Sequence, residues 1–498
     1  MTILRIRCTR NTKILRPERC VVLDGKSCSA CTEDIELEKE IKELEDRIEK
    51  IHAKRRALRT VMNDNHDQLA SKFPPEIASQ IFIHYAPPDE TLTSTPSYLG
   101  AVCQKWRQLA WRTPQLWTSL FIRFKPYYPS WLLAEYLERS ANLPLTISLF
   151  SCSQKIDEEI YLQAIEILNR HSSRWHVLHI SLPARHLHRL CGSLGGNILQ
   201  QLDLQTEPSE DRDAYIAKSF SMKSKPSPMH LTLTKYNLAN VDIFWNCLTR
   251  AKLQYIAVDQ YFELMRRAPL LETVSLFAVI HSSDIFPIPT ARITLPQLRS
   301  LEIWITATAN GTLSSKILDS MCAPSLKHWE HGVWENLSSP SSMVSFIGQS
   351  SFSLRSLTVK GTRKIYDQLY IILYHLSSLE FLTLGFEFRI PSPTDALFVR
   401  LCASDESSPF LPHLHTLGFS PLFMFLWESL PRLFSSPIRR SMRVKVNHLI
   451  NAHITNKTVE KLVKLVDEGF NLTILRGGKV DVLEEYRKKR RLSQTTHQ

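Results

Sequence analysis

The spacing of apolar residues changes character three times along the chain. Over residues 33–62, Leu37, Ile41, Leu44, Ile48, Ile51, Leu58 and Met62 recur three and four apart, interrupted where Arg55 takes the position between Ile51 and Leu58. Charged residues fill the other faces. This is the a/d stripe of a coiled-coil helix, and it predicts one helix over 33–64 with that seam. Glu38 to Lys42 and Glu43 to Arg47 add supporting i,i+4 pairs. Two arrangements stay open: self-pairing along the seam, or a single amphipathic helix packed on the next domain.

Residues 66–122 predict a small three-helix domain. Pro74 and Pro75 open a helix with Ile77, Ile81, Phe82 and Tyr85 on one face, and Pro87-Pro88 stops it. A second helix places Leu99, Val102, Cys103, Trp106, Leu109 and Ala110 on one side. Thr113-Pro114 breaks it, and Leu116, Trp117 and Leu120 begin a third apolar element. So small a unit hides few apolar residues by itself.

The order Phe73-Pro74-Pro75-Glu76-Ile77, Ile81-Phe82, Val102-Cys103, Trp106-Arg107 and Leu116-Trp117 resembles an F-box. With the preceding coiled coil and the Trp-Arg-x-x-Ala…Pro-x-Leu-Trp ending, it is similar to the mushroom-type fungal F-box group. The resemblance implies that Phe73, Pro74, Glu76, Ile77, Ile81, Val102, Cys103, Trp106, Arg107, Leu116 and Trp117 form a unit that docks on a Skp-type adaptor and, through it, a cullin.

Residues 123–174 read as a helical linker region, with LTISLF (145–150) alternating like a strand. From about 175 a motif recurs with apolar residues at positions one, four and six. Its copies are Trp175/Leu178/Ile180, Leu199/Leu202/Leu204, a weaker Leu231/Leu233, Leu253/Ile256/Val258, Leu271/Val274/Leu276, Leu298/Leu301/Ile303, Leu326/Trp329/His331, Leu354/Leu357/Val359, Leu379/Leu382/Leu384 and Leu414/Leu417/Phe419. Their central positions step by 24, 29, 25, 18, 27, 28, 28, 25 and 35 residues. Residues two apart face one side of a short strand, and no single copy buries that side, so neighbours must stack. The region 175–478 therefore resembles a divergent leucine-rich-repeat solenoid, without the asparagine that usually follows the strand. An irregular α/β domain of many short strands is the competing reading. Segments 243–248 and 366–376 read as helical, and residues 457–470 as a closing amphipathic helix.

Composition narrows the function. The net charge is +12 over 498 residues, but residues 1–31 hold seven Lys/Arg against two acids and residues 479–498 six against three. The body thus carries little excess cation, and no nucleic-acid partner is expected from it. Residues 1–32 read as a disordered basic arm and 479–498 as a basic tail, whose run Arg487 to Arg491 fits nuclear import or a solvated tail. No apolar run is long enough to span a membrane. Cys8, Cys20, Cys28 and Cys31 match no zinc spacing, although four thiols suffice for tetrahedral zinc. His328, Glu330 and His331 in LKHWEHG read as a polar strand end with Trp329 inward, and His186, His188, Glu158 and Glu159 form no constellation. No phosphate loop, nucleophile elbow or HExxH occurs, so no cofactor, metal or catalytic residue is expected.

Together these readings predict a mixed α and α/β chain: coiled-coil helix, F-box, then repeat array. By resemblance it is the non-catalytic substrate receptor of a Skp–cullin–F-box ubiquitin ligase in cytoplasm or nucleus, its repeats binding a target protein. The alternative is an interaction scaffold using only the coiled coil and repeats.

Overall fold

A computed structural model describes residues 28–495, apart from 68, 70–71, 86–94, 126–129, 152–155, 207–218, 306–311, 334–339, 362–368, 387–394, 403–409, 423–426, 428, 436, 449–454 and 478. Residues 1–27 of the basic arm, with Cys8 and Cys20, lie outside the described residues, and its last residues, 29–32, are helical rather than disordered. The chain divides into two compact units, residues 1–87 with 94–116, and residues 88–93 with 117–498. The boundary therefore falls between Leu116 and Trp117 rather than after 122.

In the first unit, α1 (Ser29–His66) is a single helix of 38 residues. It begins four residues before the predicted start. Three short helices follow: α2 (Pro75–Tyr85), α3 (Thr95–Val102) and α4 (Gln104–Trp111). Pro75 occupies the first helical turn, where its missing N–H costs nothing, and the Pro74 carbonyl accepts from Ala78 N at 3.1 Å. The continuous second helix predicted over 99–110 is instead two. Cys103 takes an extended backbone (φ −155°, ψ 174°), and its Sγ accepts from Trp106 N, capping α4.

Among the described residues of the second unit, fifteen strands form one sheet, each paired with its neighbours in chain order. They are β1 (Ser119–Arg123), β2 (Leu145–Phe150), β3 (Trp175–Leu182), β4 (Gln201–Thr206), β5 (His230–Thr234), β6 (Arg250–Gln254), β7 (Thr273–Phe277), β8 (Ser300–Ile305), β9 (His328–Val333), β10 (Ser356–Gly361), β11 (Phe381–Phe386), β12 (Thr416–Leu422), β13 (Arg443–His448), β14 (Leu472–Arg476) and β15 (Val480–Asp481). All pairings are parallel except the last, β14 with β15. Parallel neighbours require a crossover between strands, and short helices such as Val258–Arg267, Thr312–Asp319 and Pro340–Ser350 supply several. Two small parallel pairs, Phe220–Ser221 with Val241–Asp242 and Ile293–Thr294 with Met321–Cys322, lie among the crossovers.

Strand alternation sends one set of side chains into a continuous apolar cluster running from Leu120 to Leu483. The inward residues Leu178, Leu202, Leu231, Val274, Leu301, Trp329, Leu357, Leu382 and Leu417 are the predicted repeat positions, all buried. Each such side chain contributes roughly 1.5–3 kcal/mol. One copy was misregistered. In β6 the inward residues are Ala251 and Leu253, while Ile256 lies beyond the strand and Val258 opens a helix. The 25- and 18-residue steps around it become 20 and 23 in the true register.

The helical linker predicted over 123–174 is part of this sheet, because β2 and the end of β1 belong to it; helices Ser130–Arg139 and Glu158–Arg170 form the crossovers. The residues 243–248 hold only a 3₁₀ turn, Trp245–Cys247. The basic tail is also structured: Val482–Thr495 is a helix, with Val482 and Leu483 buried, and Arg487 pairs with Asp467 while Lys489 pairs with Glu485 at 2.8 Å.

Three consecutive strands end in the same backbone geometry. Lys235, Tyr255 and Ala278 leave β5, β6 and β7 with φ of 54–55°. Their N–H groups donate to Gln254, Phe277 and Trp304 carbonyls at 2.8–2.9 Å, so the ladder continues one residue past each strand. Non-glycine residues in this region are uncommon, and each stores about 1–3 kcal/mol that the ladder offsets.

Candidate functional site

Within the first unit, the core of the three helices is filled by Ala78, Phe82, Leu99, Ala110 and Leu116. Trp106 is half-buried. Its ring lies 4.9 Å from that of Phe82, and its Nε1 donates to Asp67 Oδ2 at 3.0 Å. Cys103 Sγ lies 3.8 Å from the same carboxylate oxygen. Asp67 thus joins the end of α1 to the start of α4, a role no sequence motif marks. Thr113 Oγ1 donates to Leu109 O at 2.7 Å and contacts Ser79 Oγ at 3.1 Å, tying α4 to α2. Arg107 Nε donates to Gly100 O at 2.8 Å, so this cation braces α3 against α4.

With the core so occupied, other apolar residues are left outward. Ile77 is 48% exposed, Ile81 40% and Val102 52%, with Phe73 comparably open. Pro74 and Glu76 are exposed beside them at the start of α2. A cleft of ≈310 Å³ opens between α2 and α4, lined by Phe73, Glu76, Ala78, Lys105 and Arg112 among others. A second, of ≈270 Å³, lies between the end of α1 and Val102, Cys103 and Trp106. The predicted set therefore separates. Phe73, Pro74, Glu76, Ile77, Ile81 and Val102 face outward, whereas Cys103, Trp106, Arg107 and Leu116 hold the unit together. Trp117 belongs to the second unit. It is buried edge-on against Tyr136 at 4.7 Å, with the Arg139 guanidinium 4.8 Å over its ring.

The seam of α1 is uncovered: Leu37, Ile41, Leu44, Ile48, Ile51, Leu58 and Met62 are each 50–57% exposed.

In the second unit, the sheet face opposite the apolar cluster carries a row in register across the middle strands. Lys252, Ser275, Glu302, Glu330 and Thr358 stand side by side on β6 to β10, flanked by Gln254, Phe277, Trp304, Gly332 and Lys360. Phe277 and Trp304 stack at 6.1 Å and 14°, with Lys252 Nζ 5.4 Å from the Phe277 ring and Lys360 Nζ 4.3 Å from the Trp304 ring. Lys360 Nζ also pairs with Glu330 at 2.9 Å, and Trp304 Nε1 donates to Glu302 at 2.9 Å. Gly332 is required here, since a Cβ would sit 2.6 Å from Trp304 Cε3. On β3 and β4, His179 Nδ1 lies 2.5 Å from Asp203 Oδ2. These residues alternate with the inward positions; polarity marks Lys252, Ser275, Glu302, Glu330 and Thr358 in the sequence, whereas nothing there marks Phe277 and Trp304 as outward.

The strand of LKHWEHG splits its residues between faces. Trp329 and His331 point inward, and His328 and Glu330 outward. Burial lowers the His331 imidazole to about 4, and its Nε2 is 3.4 Å from Ser314 Oγ. His186 is likewise lowered to about 4, by burial and then by Arg185, and stacks on Tyr161. Burial pushes the Asp259 carboxyl up, but donors from Ser283 and Phe286 outweigh it and hold it below its usual range. That carboxylate pins the loop 283–286 through Ser283 N at 2.7 Å and Ser283 Oγ at 2.8 Å. Among the described residues no group of three or more His, Cys, Asp or Glu is placed to hold a metal, and no helix is long and apolar enough to cross a membrane.

No family model matches the chain, and no curated protein matches it. A solved protein of Bacteroides fragilis aligns with 72% of this chain and 74% of its own at 10% identity, with a TM-score of 0.24, a likeness too weak to carry an argument.

Proposed function

We propose that the chain is the substrate receptor of a Skp–cullin–F-box ubiquitin ligase. The observation that carries this reading is the outward set Ile77, Ile81 and Val102 on a three-helix unit whose core is already filled by other residues. Apolar side chains left open in this way favour burial against a partner, and the motif order resembles that of an adaptor-binding F-box. The second unit then acts as the target platform. Its parallel strands, paired in chain order, fit a divergent leucine-rich-repeat solenoid, and the face bearing Phe277, Trp304, Lys252 and Lys360 fits a protein-binding surface. Catalysis is positional: holding target lysines near a charged conjugating enzyme raises their effective concentration, and the transfer itself belongs to that enzyme. A compartment in cytoplasm or nucleus goes with this reading. The basic run Arg487 to Arg491 lies on a helix whose Arg487 and Lys489 are already paired, which favours the structural role for those two cations.

Co-expression with the adaptor of the same species tests the proposal. The full chain should carry the adaptor through purification in equal amounts. A well-folded chain that never retains it leaves the scaffold reading, in which only the coiled coil and the repeats bind.

A further inference from the structure

The uncovered seam of α1 belongs to a helix whose charge is divided end to end. Residues 33–46 hold eight carboxylates against two lysines, a net charge of −6. Residues 47–60 hold six Lys/Arg against the single Glu49, a net charge of +5. We propose that two copies of the chain pair through α1 as an antiparallel two-stranded coiled coil centred between Glu49 and Lys50.

Register and charge lead to the same arrangement. In heptad terms Leu37, Leu44, Ile51 and Leu58 are d positions, and Ile41, Ile48, Arg55 and Met62 are a positions. An antiparallel pair sets a against d. Centred as stated, it makes the layers Leu37 with Met62, Ile41 with Leu58, Leu44 with Arg55 and Ile48 with Ile51, each occurring twice, so every seam position is covered. A parallel pair in register covers the seam too, but it fails on charge. It sets Glu33 against Glu38, Glu40 against Glu45 and Lys54 against Arg59, all of like sign, and leaves Arg47 against His52 with no opposite charge. The antiparallel pair instead sets Glu38 against Arg59 and Glu45 against His52, with Arg47 against Lys54 as its one like-charged contact and Glu40 against Val61 neutral. It also lays each acidic half along a basic half. Leu44 opposite the stem of Arg55 keeps that layer apolar while the guanidinium reaches the rim beside the acidic half of the other copy.

The pairing has a geometric consequence. At 1.5 Å per residue, the two-fold axis lies about 25 Å from His66 in each copy, so two three-helix units stand roughly 50 Å apart at opposite ends of the rod. This inference does not depend on the ligase reading, since it concerns self-association alone.

The test uses the full chain. Sedimentation at about 50 µM should give a dimer. Leu37→Cys and Met62→Cys chains, mixed in a glutathione redox buffer, should give a disulfide-linked peptide joining position 37 of one chain to position 62 of the other. The Leu37→Cys chain alone should give no link from 37 to 37. The pair Glu38→Lys, Glu45→Lys should weaken self-association about tenfold or more, as should His52→Glu, Arg59→Glu, and mixing the two variants should restore it. A wild-type monomer, a 37-to-37 link, or an affinity indifferent to these substitutions overturns the proposal.

Discussion

The Trp106 indole donates to the carboxylate of Asp67 at 3.0 Å, across 39 residues of sequence. Asp67 ends the long helix α1, and Trp106 stands in the first turn of α4, so this bond closes the first unit on itself. The same oxygen lies near Cys103 Sγ, whose capping of α4 sets the angle at which Trp106 meets Phe82.

Asp67→Ala leaves the indole without that acceptor, and the cost should be about 1–2 kcal/mol, the lower part of the range because Trp106 is only half-buried. Amides of α4 should exchange with deuterium about tenfold faster, while those of β7 to β11 keep their rates. Unchanged exchange in α4 would show that packing on Phe82 alone holds the indole.

The Gly332–Trp304 contact is tighter. A methyl group at 332 must displace the indole, which loses its stack on Phe277 and its place under Lys360. Gly332→Ala should cost about 1–3 kcal/mol in denaturant unfolding. In a Trp304→Leu background most of that cost should vanish, because the displaced ring is gone. Equal costs in the two backgrounds would place the clash elsewhere.

The inward positions of the sheet were legible because residues two apart on a strand must both be apolar when only one face is buried. Leu357 with Val359 and Leu382 with Leu384 show this plainly. The register differs at β6 because Ala251 is too small to mark the position, and Leu253 with Ile256 and Val258 satisfies the same template five residues later. The template also passed over β13, where Val444 and Val446 lack a leading leucine, and β1, where Leu120 and Ile122 were read as an end of the F-box. In the first unit the pattern named the apolar set but could not divide it. Ile77 and Phe82 are both apolar residues of one short helix, and only the packing of Trp106 decides that Phe82 is core and Ile77 is surface. Asp67 was invisible, since an acid after a charged helix carries no signal of a partner 39 residues away.

His331 gives the second unit an acid sensitivity. Burial holds its imidazole at about 4, against about 6.5 for an exposed histidine. The folded chain therefore keeps it neutral. Between pH 6.5 and 4 the unfolded chain takes up a proton that the folded chain refuses, so stability is full above 6.5 and declines as the pH falls, by up to roughly 3 kcal/mol. His331→Leu should cost about 1 kcal/mol at pH 7.5, because Ser314 Oγ loses its 3.4 Å hydrogen bond to Nε2, while Nδ1 has no partner to lose. At pH 5 the order should reverse, with the variant the more stable by about 1 kcal/mol. Denaturant midpoints of the two proteins that keep a constant gap from pH 7.5 to 5 would show that the imidazole is not what titrates.

Ile77 separates adaptor capture from folding. It stands on α2 with nearly half its surface open, while Phe82, five residues along, is buried under Trp106. Ile77→Glu removes no core contact and adds a charge that water reaches, so the stability of the first unit should change by about 0.5 kcal/mol or less. Phe82→Ala empties the core and should cost about 3–5 kcal/mol. Adaptor capture should respond the other way round for its cause. Ile77→Glu puts a carboxylate where the proposal requires an apolar contact, and desolvating it there should cut retention of the adaptor by tenfold or more, the equivalent of about 1.4 kcal/mol. Ile81→Glu should act in the same sense, because it lies one turn along the same face of α2. Pro74→Ala, at the mouth of that helix, should weaken capture more than it weakens folding, since proline at a helix start donates no hydrogen bond that alanine would restore. The decisive comparison is capture against unfolding for each variant. If capture falls only in step with unfolding, from Phe82→Ala through Pro74→Ala to Ile77→Glu, then the outward face of α2 touches no adaptor and the unit serves another partner.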